Sequence, residues 1–371
     1  MIYGYIAGAV ETGAARQAAL RAYGEYALVP RVLVDVSGRS QERSLFGRRY
    51  AAPFGIPPLG GAAIAAYRGD LVLGRAARLM NQPMILSASS LIPLEEVHAA
   101  NPDAWFQAYL AGDDGRIAAM VDRVAAAGFG TLVVTADTPV PGNRENNVRS
   151  GYSMPIRITP PVALDCLRHP RWLVGTLGRT FFRHGMPHFE NMDATRGPPM
   201  LSRNLLRNLG ARDQLAWRHL EAIRRRWRGR LVVKGILACA DAQRARDIGA
   251  DGIIVSNHGG RQLDHAIAPL RVLPEIRAAV GAMPVMIDGG IRRGTDVLKA
   301  IALGADFVFV GRPMLFAAAI AGVDGVLHAM TLLRDEISRD MAMLGITSLD
   351  ALDGTYVRGS NPFGFSPPGR C

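Results

Sequence analysis

Between Ser256 and Asp264 the chain reads Ser-Asn-His-Gly-Gly-Arg-Gln-Leu-Asp, directly after the apolar run GIIV. Residues of these types can move a proton beside a bound anion. The His258 imidazole exchanges a proton near neutral pH, and the Arg261 guanidinium can grip a carboxylate through two parallel hydrogen bonds. Gly259 and Gly260 let a flat ligand approach the backbone. A lone His-Gly-Gly is more often a satisfied surface loop, so the assignment depends on what the rest of the chain brings. It brings a coherent set at the ends of other apolar runs: Gln107 and Tyr109, Thr135 and Asp137, Lys234, Asp288-Gly289-Gly290 and Gly311-Arg312, with Arg144 soon after Asp137. Glycine backbones beside arginines in the last two segments form a cradle for phosphate, because free N–H groups and a guanidinium can point at one anion. A phosphorylated cofactor follows from that cradle.

Eight short apolar runs must position these side chains: PFGIP (53–57), PMILSA (83–88), WFQAY (105–109), TLVVTAD (131–137), LVVKG (231–235), GIIVSN (252–257), PVMIDGG (284–290) and DFVFVGR (306–312). Between most of them lie segments of helical character, such as DLVLGRAARLM, RIAAMVDRVAAAG, ADAQRARDIGA and GTDVLKAIALGA, each closing near a glycine or turn. Continuous apolar strands alternating with helices predict an α/β fold, a parallel (β/α)8 TIM barrel whose chemistry sits at the C-terminal strand ends. A doubly wound open sheet is the alternative, but no GxGxxG follows the first strand. One interval breaks the rhythm. From about Thr138 to Leu231 roughly ninety residues separate two strands, far beyond an ordinary connection. Residues 1–371 are therefore expected to form a single domain with an insertion at about 140–212, after the fourth strand and on the active face. The stretch from Gln214 to Trp227 reads as the helix before strand five.

Lysine plus arginine number 43 against 32 aspartate plus glutamate, a net charge of +11 that points to an anionic partner. Much of the excess lies between Arg157 and Arg230, where Arg168, Arg171, Arg179 and Arg183 are interleaved with Trp172, Phe181 and Phe182. No recognised nucleic-acid-binding motif accompanies them, so nucleic acid is not expected as a partner. The three cysteines, Cys166, Cys239 and Cys371, share no metal-type spacing and are odd in number, which favours neither a zinc site nor a disulfide framework. No metal is expected. No run of about 18 apolar residues reads as a spanning helix, and no export leader precedes MIYGYIAG, so the chain is expected to stay inside the cell.

Taken together in register, WFQAY, TADTP, LVVKG, SNHGGRQLD, DGGIRRGTD and FVGRP give the chain its family likeness. It resembles the FMN-dependent α-hydroxy-acid oxidising family of glycolate oxidases, lactate dehydrogenases and (S)-mandelate dehydrogenases, over nearly the whole length from YGYIAGAVE to LRDEISRDMAMLG. The resemblance implies FMN as cofactor and His258 as the base that removes the Cα or the hydroxyl proton of a 2-hydroxy acid. Arg144 and Arg261 would clamp the substrate carboxylate, Tyr5 and Tyr109 would hydrogen-bond the substrate, and Asp137 would orient the imidazole and stabilise its cation. A helix-capping role before Thr-Pro is the plain alternative for Asp137. Lys234 would stabilise negative charge on the reduced flavin, with a snorkelling surface lysine as its alternative. Ser87, Gln107, Thr135 and Ser256 would bond the flavin edge, although Gln107 and Thr135 could equally fill the barrel. Pro58, Leu59 and Gly60 would lie along the ring, Asp288 would meet a ribityl hydroxyl, and Gly289, Gly290, Arg292, Gly311 and Arg312 would hold the phosphate.

Departures from the family pattern refine the expectation. The family carries a helix before its first aromatic segment, whereas here Tyr5 stands four residues after Met1. Ser87-Ala88 replaces a pair of hydroxyl residues, removing one flavin contact. A small residue, Ser89 or its neighbour, stands where glycolate oxidase has a tryptophan, which enlarges the pocket for a bulky or aromatic hydroxy acid. LDCLRHPRWLVGTLGRTFFRHGMPHF resembles the membrane-attaching segment of the mandelate-oxidising branch, placing such a segment at 165–189. Basic residues among Trp, Phe and Leu suit an anionic headgroup layer, each adding roughly 1 kcal/mol; a basic loop over the barrel mouth is the alternative. The resemblance thus implies an (S)-2-hydroxy-acid dehydrogenase, peripheral on the inner face of the cell membrane, that passes electrons to a quinone or respiratory-chain acceptor. By family analogy it would be a homotetramer. A soluble oxidase using oxygen is the nearest alternative, and a non-redox FMN barrel a more distant one.

Overall fold

The computed structural model describes residues 1–153, 156–202 and 212–359. Eight parallel strands run β1 Phe54–Gly55, β2 Ile85–Ser87, β3 Trp105–Ala108, β4 Thr131–Thr135, β5 Arg230–Ile236, β6 Gly252–Val255, β7 Val285–Asp288 and β8 Phe307–Phe309. They pair in the order β1-β8-β7-β6-β5-β4-β3-β2. A parallel bridge between Ile56 and Met84 joins the two ends, with Ile56 N–H donating to the Pro83 carbonyl at 2.9 Å and Ile85 N–H to the Ile56 carbonyl at 2.9 Å. The sheet is thereby closed into the barrel that the eight apolar runs predict.

Side chains alternate across a strand, so each strand feeds two environments. Leu132, Val134, Leu231, Val233, Ile253, Val255, Val285, Ile287 and Val308 point outward into the main core shared with the surrounding helices. Ile85, Trp105, Val133, Val232, Ile254, Met286, Phe307 and Phe309 fill the barrel interior. An antiparallel hairpin, Arg43–Leu45 with Arg48–Tyr50, plugs the bottom: the Phe46 ring lies 5.5 Å from Trp105, and the Tyr50 ring meets Phe307 edge-on at 5.6 Å. Two residues further along their strands come Ser87, Gln107, Thr135, Lys234, Ser256 and Asp288, all buried. The strand period thus places one polar layer directly above an apolar stopper, at the end of the barrel where the loops open.

Between β4 and β5 the insertion forms helices Glu145–Arg149, Pro160–Arg168 and Arg179–His184, the last reached through Pro170–Trp172 and a π-helical stretch, Leu173–Gly178. The helix before β5 spans Trp217–Arg226, shorter than the stretch expected from sequence. After β8 comes a helix, Arg312–Leu344, long and apolar enough by length and composition to cross a membrane. Non-helical backbone at Ala321 and at Gly322 (φ 60°) divides it, and it packs on the helices Gly69–Leu79 and Gly294–Ala302. Cys166 is a free thiol, and Cys371 lies outside the described residues.

If the interior stack carries the barrel, Phe307→Ala should cost about 3–5 kcal/mol of unfolding free energy in a denaturant titration. A loss below about 1 kcal/mol would show that the stopper is not tightly packed.

Candidate active site

His258 ends the turn after β6 in the left-handed region, at φ 57°, followed by Gly259 at φ 65° and Gly260 at φ 70°. A non-glycine residue held there stores roughly 1 kcal/mol or more, so its surroundings must over-determine it. They do. The His258 N–H donates to Ser256 Oγ at 3.0 Å, Nδ1 lies 3.0 Å from Asp137 Oδ1, and Nε2 lies 3.3 Å from the Tyr109 hydroxyl. Asp137 reaches this position through a bulge in β5: Gly235 adopts φ 100°, and a Cβ there would come within 2.6 Å of the Asp137 Cβ. Burial, the largest single influence, pushes the Asp137 carboxyl up. The charge and hydrogen bond of His258 and the charge of Lys234 outweigh it and hold Asp137 below the usual carboxylate range.

Arg261 and Arg144 face the same cavity. Arg261 donates to the carbonyls of Tyr5 at 2.8 Å and Gly8 at 3.0 Å and lies over the Tyr5 ring, while Arg144 donates to the Arg261 carbonyl at 3.3 Å and to Gln262 Oε1 at 3.1 Å. Burial first, then the neighbouring charge of Arg144, lowers the pKa of Arg261. A cationic pair of this kind is suited to an anion. Tyr5, despite its place near the start of the chain, is firmly seated within the helix Ile2–Ala7: its ring stacks on Tyr152 at 4.2 Å, and the Met1 ammonium pairs with Asp165 at 2.8 Å.

Below these groups lies the polar layer. Lys234 Nζ donates to Ser256 Oγ at 2.8 Å and pairs with Asp288 at 3.0 Å; burial works against its charge, but Asp288 and Asp137 outweigh that and raise its pKa. Ser87 Oγ donates to Gln107 Oε1 at 3.2 Å. Gln107 Nε2, Thr135 Oγ1 and Asp288 Oδ1 are buried without a hydrogen-bond partner among the described residues, a costly arrangement unless a ligand supplies one. Gly289, Gly290, Arg292, Gly311 and Arg312 gather at the far end of the same cavity. There Arg312 donates to the Ile6, Gly8 and Gly259 carbonyls, and burial, with the charges of Arg261, Arg292 and Arg16, pushes its pKa down to about 9. Under-neutralised guanidinium groups beside glycine backbone suit a phosphate.

The cavity measures about 590 Å³, within the size range of cofactor and substrate sites, and Pro58, Leu59 and Gly60 form part of its wall. Of the site residues expected from sequence, Ser87, Gln107, Thr135 and Ser256 lie in the layer beneath this mouth, Asp137 stands behind His258, and the others line the cavity. The structure adds Tyr152, Phe189, Met192 and Arg212 from the insertion, and Ile64 and Leu91 from the loops after β1 and β2. No periodicity marks the insertion residues as inward-facing, and Arg212 belongs to the basic excess between Arg157 and Arg230, whose sequence does not tell inward from outward side chains.

The FMN-dependent dehydrogenase family profile matches residues 1–359. The chain is 36% identical over 360 residues, 96% of its length and 90% of the other's, to (S)-mandelate dehydrogenase of Pseudomonas putida. It is 42% identical over 330 residues, 87% of its length and 84% of the other's, to L-lactate dehydrogenase of Pseudomonas aeruginosa (strain UCBPP-PA14). Among solved structures, the monotopic membrane protein (S)-mandelate dehydrogenase superposes with a TM-score of 0.88 at 35% identity, covering 97% of this chain and 95% of that one. A mandelate oxidase with benzoyl-formic acid superposes at 0.77, with 35% identity over 96% and 92% of the two chains.

Because the Asp137 carboxyl sits below its unfolded value, its ionised form stabilises the native state above the ordinary carboxylate pKa, and that contribution fades as pH falls through the folded value. Asp137→Asn should therefore lower stability at neutral pH yet lessen the loss on acidification below about pH 4. Thermal melts across pH 2–7 read this; parallel acid limbs in the two proteins would contradict it.

Proposed function

The chain belongs to the FMN-dependent dehydrogenase family, and on that premise we propose that it oxidises an (S)-2-hydroxy acid of the bulky or aromatic, mandelate-like class to the 2-oxo acid, passing the electrons to a quinone-type acceptor at a membrane. The observation that carries this proposal is the convergence of His258, backed by Asp137, with Tyr109, Arg144 and Arg261 on one cavity. Such a set fixes a carboxylate and places a base beside its α-carbon. The cofactor is FMN, and the donor set suits it: the unpartnered Gln107, Thr135 and Asp288 atoms would meet the ring edge and ribityl chain, Lys234 the pyrimidine side, and Arg292, Arg312 and the glycines the phosphate. When bound, FMN accepts the two electrons released as the hydroxy acid becomes an oxo acid.

In this account Arg144 and Arg261 bind the substrate carboxylate bidentately and fix which face of Cα is presented. Tyr109 holds the hydroxyl oxygen. Nε2 of His258 takes the proton that must leave, and Asp137, hydrogen-bonded to Nδ1, stabilises the imidazolium without itself becoming protonated. Tyr5, stacked on Tyr152 and lying under the Arg261 guanidinium, would hydrogen-bond the substrate beside the clamp. The small Ser89, with Ile64, Leu91, Phe189 and Met192, leaves an apolar space wide enough for an aromatic side chain.

Membrane attachment is supported by the surface of the insertion. Leu164, Leu167, Val174, Phe181 and Phe182 are exposed, Phe182 to 94%, among the exposed Arg168, Arg171, Arg179 and Arg183. Apolar side chains ringed by guanidinium groups fit the headgroup region of an anionic bilayer. Residues 1–371 would act as one catalytic domain that docks on the inner face of the membrane through 165–189 and assembles as a homotetramer, which analytical ultracentrifugation decides.

His258→Ala should keep FMN bound yet abolish flavin bleaching by a 2-hydroxy acid; retained reduction would remove His258 from the role of base. In stopped-flow reoxidation, the reduced enzyme should react with a short-chain quinone far faster than with oxygen. Rapid reaction with oxygen and no acceleration by the quinone would identify an oxidase instead.

A further inference from the structure

Arg212 enters the catalytic cavity from the insertion, and neither the clamp nor the phosphate cradle uses it. Its guanidinium lies over the Tyr109 ring, 4.5 Å from the centroid, and Tyr109 is the residue whose hydroxyl stands 3.3 Å from His258 Nε2. Arg212 is therefore a near neighbour of the reacting centre. Its contacts, the Tyr109 ring and Met192, are not those of Arg144 and Arg261, which hold to Gln262 and to the carbonyls of Arg261, Tyr5 and Gly8, so it stands apart from the carboxylate clamp. Its Nη2 donates to Met192 Sδ at 3.9 Å, and Ser89 Oγ donates to the same sulfur at 3.8 Å. These contacts place it on the wall with Ser89 and Met192, the side that would receive the substituent on the substrate's α-carbon.

No side-chain carboxylate lies within 4 Å of Arg212 among the described residues, and the residues outside them, 154–155, 203–211 and 360–371, include no aspartate or glutamate. Other arginines facing the insertion differ sharply. Arg116 pairs with Asp193 at 2.7 Å and Arg123 with Glu95 at 2.8 Å, each through two nitrogens. A guanidinium carries five N–H donors, and a thioether sulfur is a weak acceptor for one of them. Arg212 is part-buried, and holding such a group away from water without a counter-ion costs free energy that a bound anion would recover.

We infer that Arg212 is a specificity-determining residue that binds a second acidic group, of the carboxylate class, on the side chain of the 2-hydroxy acid. The inference rests on the proposed function and narrows it to substrates anionic at both ends, with Arg144 and Arg261 at the α-carboxylate and Arg212 at the distal one.

The test uses the FMN-loaded enzyme and two acids of matched shape, mandelate and 4-carboxymandelate, together with their 2-oxo products. The products cannot reduce the flavin, so their dissociation constants can be read from the shift they cause in the flavin absorbance band. Wild type should bind the carboxylated product about 10- to 100-fold more tightly than the neutral one, the span of a charge-assisted hydrogen bond. Arg212→Met should erase that preference while leaving affinity for the neutral product within about threefold, and Arg212→Lys should keep part of it. Equal affinity for the two products in wild type, or a preference that survives in Arg212→Met, overturns the inference. Flavin bleaching by mandelate in the same preparation would then leave the hydroxy-acid activity standing; absence of bleaching by either acid would bring down both.

Discussion

The hydrogen bond between His258 and Asp137 is the contact on which the arrangement of the mouth depends. It joins the turn after β6 to the loop after β4, and it forms only because Gly235 lets β5 bulge where any side chain would strike Asp137. The left-handed backbone of His258, the Ser256 hydroxyl that receives both its N–H and the Lys234 ammonium, and the Lys234–Asp288 pair all lean on it. Three strands and two loops are thereby tied into one charged network at the bottom of a cavity. The network is close to neutral in its lower part. Its upper rim carries Arg144, Arg261, Arg212, Arg292 and Arg312 with few carboxylates to match, which gives the site its appetite for anions.

Much of this was legible in the sequence for a geometric reason. A strand of period two that places Ile254 inside the barrel must place Ser256 inside as well, and likewise Met286 and Asp288, Val232 and Lys234, Val133 and Thr135, Trp105 and Gln107. Once the eight runs are recognised as barrel strands, the polar layer follows from counting. Helix capping was less visible. Asp264, last of the Ser256–Asp264 run, accepts hydrogen bonds from Thr12, Ala15 and His265, which against the effect of burial bring its pKa down to about 2, and so anchors the start of the helix Ala14–Ala22. That helix in turn presses on Gly260 and Gly290, where an added Cβ would lie 2.5 Å from Arg16 N and 2.2 Å from the Ala19 carbonyl oxygen.

What escaped the sequence lies mainly in the insertion. Tyr152, Phe189, Met192 and Arg212 come from a segment without strand or helix periodicity to say which way a side chain faces, so their convergence on the mouth is a tertiary fact. Ser89 is the exception, because its small size was read as an enlarged pocket, and it does line the cavity. The division of the Arg312–Leu344 helix at Gly322 was equally invisible, since its hydropathy is continuous across the break. Of the features of the insertion visible beforehand, Arg144 lines the mouth, whereas the mixture of arginine with exposed Leu and Phe belongs to the outer surface.

The central claim is that an imidazole and a guanidinium pair hold a hydroxy acid over bound FMN. Anaerobic titration of the purified yellow protein with (S)-mandelate, followed at the flavin absorbance band, tests it most directly. Full bleaching by (S)-mandelate with none from the R enantiomer is the predicted result. A protein that takes up FMN yet stays yellow with every 2-hydroxy acid tried, or one that binds no FMN at all, would contradict the account.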